Sequence, residues 1–348
     1  MKTRVVSVFS LLVLFAVVAP SQTNFFFNGA NNALWSATGS WTNETGSTAA
    51  PVAGGSNDYV IVLGKPGSYD LRMDRALARG VGDTNFWLNS LVFQEGSYDI
   101  FPRAMTGTGL VFIANSSGGL PSLVQNSDGN HTISLRIVLS NDTTFAGIGT
   151  GSVMLSNVVS GAGAIIKNNV GTLILNATNT FTGGVTVNKG VLGVRTLFSL
   201  GTGSLTLQNG TTLSNTLAII NNPGVLNQIT LGTGTATVFT VNDLWLGGGI
   251  TGAGALLKLG TGVLILSNAS TYGGVTLLNE GVLRLRTSNA LGTNNLNISG
   301  GILELAGGNV SRALGTGYNQ VQVHGTSGFS AFGAGRTMTI GSGGSMIT

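Results

Sequence analysis

Gly161-Ala-Gly-Ala-Ile-Ile-Lys167 recurs as Gly252-Ala-Gly-Ala-Leu-Leu-Lys258, and Gly171-Thr-Leu-Ile-Leu175 recurs as Gly262-Val-Leu-Ile-Leu266. The correspondence continues in order. Gly183-Gly-Val-Thr186 returns as Gly273-Gly-Val-Thr276, Gly190-Val-Leu192 as Gly281-Val-Leu283, and Leu200-Gly-Thr202 as Leu291-Gly-Thr293. One deletion and one insertion hold the copies about 91 residues apart, which marks a duplication. Within each copy, strand-like tetrads such as Val185–Asn188 and Val191–Val194 alternate with Gly, Asn and Thr turns. Strands this short do not make a stable sheet alone. Stacking coil on coil lets each bury its inward side chains against the next. A right-handed parallel β-helix or related all-β solenoid is the expected fold. A hairpin-built sandwich is the competing all-β reading, because turns every 8–12 residues suit it too; self-similarity favours the solenoid.

Upstream, the residues 22–150 read as a β-rich region that starts or caps the stack. They hold three of the four tryptophans, Trp35, Trp41 and Trp87, and the strand-like runs Phe25–Phe27, Tyr59–Leu63, Leu91–Phe93, Leu110–Ala114 and Ile133–Leu139. Arg72 to Arg79 is the one stretch suited to a helical turn or two. Repeat units are expected over 151–247 and 248–348, the second running into a truncated repeat-like segment. Residues 1–21 have a different grammar. Lys2 and Arg4 precede the apolar run Val5–Ala19, and Ala19-Pro20-Ser21 supplies small residues for cleavage, so a secretory signal peptide is expected. The run is shorter than the roughly 20 residues of a membrane span.

Composition narrows the function classes. Only 8% of the 348 residues are charged, against about a quarter in an average domain. The chain has 16 Lys and Arg, 12 Asp and Glu, and no Cys. Removing Lys2 and Arg4 leaves 14 − 12 = +2, so the excess of basic residues belongs mostly to the leader. Without a basic cluster larger than Arg72-Met-Asp-Arg75 and Arg79, no nucleic-acid partner is expected. Disulfides, thiolate metal sites and cysteine nucleophiles are excluded.

The pattern Gly171-Thr-Leu-Ile-Leu175, then Thr180-Phe-Thr-Gly-Gly-Val-Thr-Val-Asn-Lys-Gly-Val-Leu192, resembles the autotransporter-associated β-strand repeat, also termed the passenger-associated transport repeat. The second copy runs from Gly260 to Leu283 and lacks the Thr between Tyr272 and Gly273. The resemblance covers about 161–207 and 252–305, and more softly 312–332. It implies a secreted β-helical passenger, displayed at the cell surface or released, whose relatives often end in an outer-membrane β-barrel. The ladder of alternating strands of about 10 residues that a barrel requires is not read here. A truncated member, or a barrel on another chain, is therefore expected.

Chemistry is sought and little is found. His131 and His324 lack metal-ligand spacing and read as turn or surface residues. Gly64-Lys65 fails as a phosphate loop, because Tyr59 and Pro66 stand where Gly and Ser or Thr are needed. No Gly-x-Ser-x-Gly elbow occurs. A β-helical polysaccharide lyase or glycoside hydrolase is the enzymatic alternative, with Asp70, Asp74 and Arg75 its candidate residues, and Asp99, Asp128, Asp142, Glu280 and Glu304 as further acids. Acids scattered on loops otherwise read as solubilising. The repeated Lys167 and Lys258, and Arg195 and Arg286, read as solvated edges that discourage sideways strand pairing, or as a row of cations gripping an acidic glycan. No catalytic, cofactor-binding or metal-ligating residue is assigned. The expectation is a non-enzymatic, exported, adhesive or structural solenoid whose partners are cell-surface glycans or extracellular matrix. A fragment of a longer autotransporter-like protein is a further reading.

Overall fold

The computed structural model describes residues 22–74, 85–102, 109–215 and 220–341. The expected leader, the Arg75 and Arg79 side of the basic cluster and the last residues, 342–348, lie outside them. The fold is a parallel β-solenoid. Strands climb in ladders from Thr23–Phe27 on Tyr59–Leu63 up to Ile302–Leu305 on Gly328–Ala331, all parallel along the stack. At the N-terminal end Trp41–Asn43 instead pairs antiparallel with Thr23–Phe27, over a cluster in which Phe27, Trp35 and Trp41 pack ring against ring.

Each coil has up to three sides. An eleven-stranded sheet forms the first and a fifteen-stranded sheet the second. The third carries a four-stranded sheet ending at Val159–Ser160 and, higher up, a six-stranded sheet beginning at Ile220–Val225. Residues alternate inward and outward along each strand, so the inward columns stack like with like. On the second side Leu173, Leu192, Leu213 and Val238 form one such column, each at most 1% exposed. Burying each contributes about 1.5–3 kcal/mol. One contiguous core runs from Phe25 to Val321.

The duplication does not follow the coil. Strand Ile165–Lys167 lies in the first sheet, whereas its counterpart Ala255–Leu259 lies in the second. Likewise Thr172–Leu175 is on the second side and Val263–Leu266 on the third. Climbing the first sheet from Ile165–Lys167 passes Val185–Val187, Leu205–Leu207, Ile229–Leu231 and Ile250–Gly252, and one further side reaches Ala255–Leu259. The repeat therefore spans four coils and one side, and its second copy is turned by that side.

The strandless side of the repeat turns with it. In the first copy Thr180 and Thr182 donate their N–H groups to Val159 and Gly161, on top of the four-stranded sheet. In the second, Thr271 and Gly273 donate to Ile250 and Gly252, on top of the first sheet. Phe181 and Tyr272 plug the core beneath these loops, both at most 1% exposed. Local hydrogen bonding is thus copied while its place around the rod is not.

Two expectations are corrected. Ile133–Leu139 is not one strand but parts of two, His131–Ile133 on the second side and Arg136–Leu139 on the third. The inward-outward alternation runs unbroken through the corner at Ser134 and Leu135, so the pattern conceals the bend. Arg72 and Met73 end a strand, Ser68–Met73, rather than opening a helical turn, because Leu71 and Met73 fill core positions at period two.

Gly161 and Gly252 sit at equivalent corners with φ of 107° and 101°. A Cβ there would lie 2.2 Å from the Leu139 carbonyl oxygen and 2.1 Å from that of Leu231. Gly46 also has positive φ, 77°, but faces open space. We expect Gly252→Ala to lower the thermal unfolding midpoint by several degrees, and Gly46→Ala to cost only about 1 kcal/mol. Equal effects in calorimetry would contradict the close coil contact.

Candidate functional site

Several polar side chains at the corners of the coils face inward. Lys167 and Lys258, expected at solvated edges or in a glycan-gripping row, are fully buried. Period two explains this: Lys167 shares a face with Ile165, and Lys258 with Leu256, both core residues. Lys167 Nζ donates to the carbonyls of Asn169 (2.7 Å), Gly171 (2.6 Å) and Lys189 (3.0 Å), and to Asn169 Oδ1 (2.9 Å). Lys258 Nζ repeats the arrangement with the carbonyls of Leu259 (3.0 Å), Gly260 (2.6 Å) and Glu280 (3.2 Å). Asn169 Nδ2 extends the first network to Gln125 Oε1 at 3.0 Å. Carbonyl oxygens favour the ammonium form, yet burial prevails and pulls both lysines down to about 8.

The repeated arginines do not form a row either. Arg195 follows a strand of the second side and directs its guanidinium at Met154 Sδ, whereas Arg286 follows a strand of the third side and covers the Trp245 ring at 4.5 Å. His131 is not a turn residue but a buried one, 1% exposed, because it occupies an inward strand position; His324 is exposed.

Several acids stitch coils together instead of merely solvating loops. Asp128 Oδ1 accepts from the N–H (2.7 Å) and hydroxyl (2.8 Å) of Thr150, which hold its carboxyl below the usual range. Asp142 accepts from the Ala164 N–H (2.9 Å), and Glu280 from the Gly260 N–H (2.7 Å). Asp74 accepts from the N–H and hydroxyl of Ser36. Glu304 pairs with Arg284.

An open groove of about 540 Å³ follows the corner between the first two sides, lined by Ser68, Gln94, Glu95, Ser97, Asn126 and Asp128. A smaller hollow of about 180 Å³ shares Ser68 and Ser97 and adds Asn31, Asp70, Asp99 and Asn130. Asp70 and Asp99 stand side by side on adjacent strands. No Lys, Arg or His lines either space. Asp74 is engaged elsewhere with Ser36, and Arg75 lies outside the described residues, so the three candidate catalytic residues are not seen gathered. Among the described residues, no group of three or more His, Asp or Glu could hold a metal ion.

Sequence reasoning missed the carbonyl-binding role of the lysines. Its signal was a lysine in phase with an apolar residue, at the same place in both copies.

Residues 165–194 and 256–285 match the family model described as Passenger-associated-transport-repeat. The chain carries two passenger-associated transport repeats. Their starts differ by 256 − 165 = 91 residues and their ends by 285 − 194 = 91, so the two matches occupy the same place in the two copies of the duplication, and each includes one buried lysine, Lys167 or Lys258. Over 145 residues, 41% of its length, the chain is 36% identical to the Adhesin BmaC autotransporter of Brucella suis biovar 1 (strain 1330). The match spans 4% of that protein. No solved structure matches the chain.

The buried lysines and tyrosines make the stack's alkaline stability biphasic. An unfolded lysine keeps its proton to about 10.5, so between pH 8 and 10 raising the pH favours the fold, which holds fewer protons. Tyr98 and Tyr272 are pushed up to about 12 by burial; above pH 10 the unfolded chain loses those protons first and stability falls. The unfolding midpoint should rise and then fall across this range. In Lys258→Met the rising limb should shrink, and leaving the corner carbonyls without a donor should cost about 1–3 kcal/mol. Chemical denaturation at stepped pH reads both.

Proposed function

We propose that the chain is a secreted or surface-exposed, passenger-like β-solenoid with a structural and adhesive role and no catalytic one. The observation that carries this is the 36% identity over 145 residues to an autotransporter adhesin, on a chain whose matched repeats lie within an uninterrupted stack. Inward-facing lysines and coil-stitching carboxylates support it, because they commit much of the ionisable chemistry to holding the rod together. The outward side chains of the first sheet, Ser122, Thr144, Thr186, Thr206, Thr230 and Thr251, form a polar ladder broken once by Ile166, between Thr144 and Thr186. Such a surface suits weak contacts summed over many copies, with cell-surface glycans or extracellular matrix as partners. Residues 1–21 serve as a cleaved export signal, 22–150 begin the stack, and 151–247 and 248–348 are its repeat units. No helix of the described residues is long and apolar enough to cross a membrane.

Beads carrying the chain at graded density, passed over matrix-coated and glycan-coated surfaces, test the adhesive role. Retention should climb about tenfold or more from sparse to dense coating. Absence of retention at every density, or release of new reducing ends from a polysaccharide by the free chain, would overturn it. N-terminal sequencing of the exported protein should begin near Gln22.

A further inference from the structure

Strand His131–Ile133 stacks on Ser97–Pro102 through only two rungs, Thr132 on Asp99 and Ile133 on Ile100. The junction below it, Ser68–Met73 on Ser97–Pro102, has six, and the one above, with Ser152–Leu155, has three. At the missing rung the Tyr98 N–H donates to a side chain, His131 Nδ1, at 3.2 Å. That imidazole lies against Phe93 with ring centroids 3.9 Å apart and nearly parallel to Tyr98. Its Nε2 faces Ser127 Oγ at 3.3 Å. The Ser127 hydroxyl donates to the Gly96 carbonyl at 2.6 Å and accepts from the Gly129 N–H at 2.8 Å.

These contacts fix the tautomer. Nδ1 must keep its lone pair for Tyr98, and Nε2 must carry the proton toward Ser127, whose own hydrogen is committed. A second proton would sit on Nδ1, facing an N–H, inside an aromatic core. We propose that His131 makes this junction an acid-labile seam: protonation unlatches Tyr98, and strands Ser97–Pro102 and His131–Ile133 part while the coils beyond Gly151 hold.

Burial draws the imidazole down to about 4, with Asp99 pulling the other way. A histidine depressed in the fold contributes stability above about pH 6.5 that is lost as pH falls through its folded value. Of the titratable groups around it, Tyr98 lies ring to ring at 6.0 Å and Asp99 acts on it electrostatically, while Tyr69 and Asp70 stand on the strand below and Lys65, Glu95 and Asp128 in the adjoining turns. Strands Ser90–Phe93 and Ser152–Leu155 bring no charge. Because the carboxylates also titrate in acid, the test must separate them from the imidazole.

Hydrogen exchange corrected for intrinsic rates, on the whole chain and on His131→Gln, does so. Gln keeps an acceptor and cannot titrate. Protection of Ser97–Pro102 and His131–Ile133 should fall about tenfold or more between about pH 6.5 and 4 in the natural chain, with strands beyond Gly151 unchanged, and should stay level in the variant. Parallel loss in both proteins would assign the effect to the carboxylates and overturn the proposal, as would uniform protection. Should the variant not fold, NMR titration of the natural chain decides, with the exposed His324 removed as His324→Gln to assign the signal. A His131 midpoint below about 5 supports the seam, and one near the ordinary 6.5 overturns it.

Discussion

A coil that turns corners must dispose of the backbone carbonyls that the corners aim inward, and the rest of this structure depends on that. Along the flat sides each carbonyl meets an N–H of the next coil, but at a corner the direction changes and the ladder lapses. A buried carbonyl left unmet costs about 1–3 kcal/mol, so an unplugged stack would lose at its corners much of what its leucines contribute. Here side chains plug them. The Tyr98 hydroxyl donates to Lys65, Ser127 to Gly96, Asn227 to Gly201 and Gly203, and Arg312 to Gly292 and Asn294. The two repeats use the strongest plug, an ammonium with three or more acceptors.

The same constraint explains how the duplicated unit survives being turned by one side. A lysine and its acceptor carbonyls belong to one corner and the coil above it; nothing in the arrangement refers to which side the corner joins. The loops over Val159–Ser160 and Ile250–Gly252 likewise bond to the strand beneath and to the next loop above, Asn179 donating to Phe198 and Ser270 to Asn289. Units held by such local contacts can be added at any angle around the rod, provided the core columns stay filled. One consequence is that equivalent outward residues, Arg195 and Arg286 among them, face different directions.

Much of the fold was legible because short-strand periodicity and self-similarity are properties of the chain itself. The Tyr59–Leu63 strand and the duplicated tetrads follow from alternation and glycine turns. Less of the corner chemistry could be read. The run 133–139 alternates straight through its bend, and a lysine, histidine or aspartate in a Gly-rich chain looks like surface until the neighbouring coil is in place. Asp128 bonding to Thr150, and Asp142 to Ala164, are contacts across 22 residues that no local pattern announces.

The amino-acid order alone determined that this protein stacks short strands, that part of it is a tandem copy, and that the copies are kin to passenger repeats, because those features are written in spacing and residue type. Only the tertiary structure decided which face of each strand is buried, how far a repeat carries the chain around the rod, and that Lys167, Lys258 and His131 lie inside. Those outcomes depend on which coil lies above which. Coil length, which is 19 residues between Thr172 and Val191, 24 between Leu205 and Ile229 and 36 between Thr23 and Tyr59, sets that only when the whole stack closes.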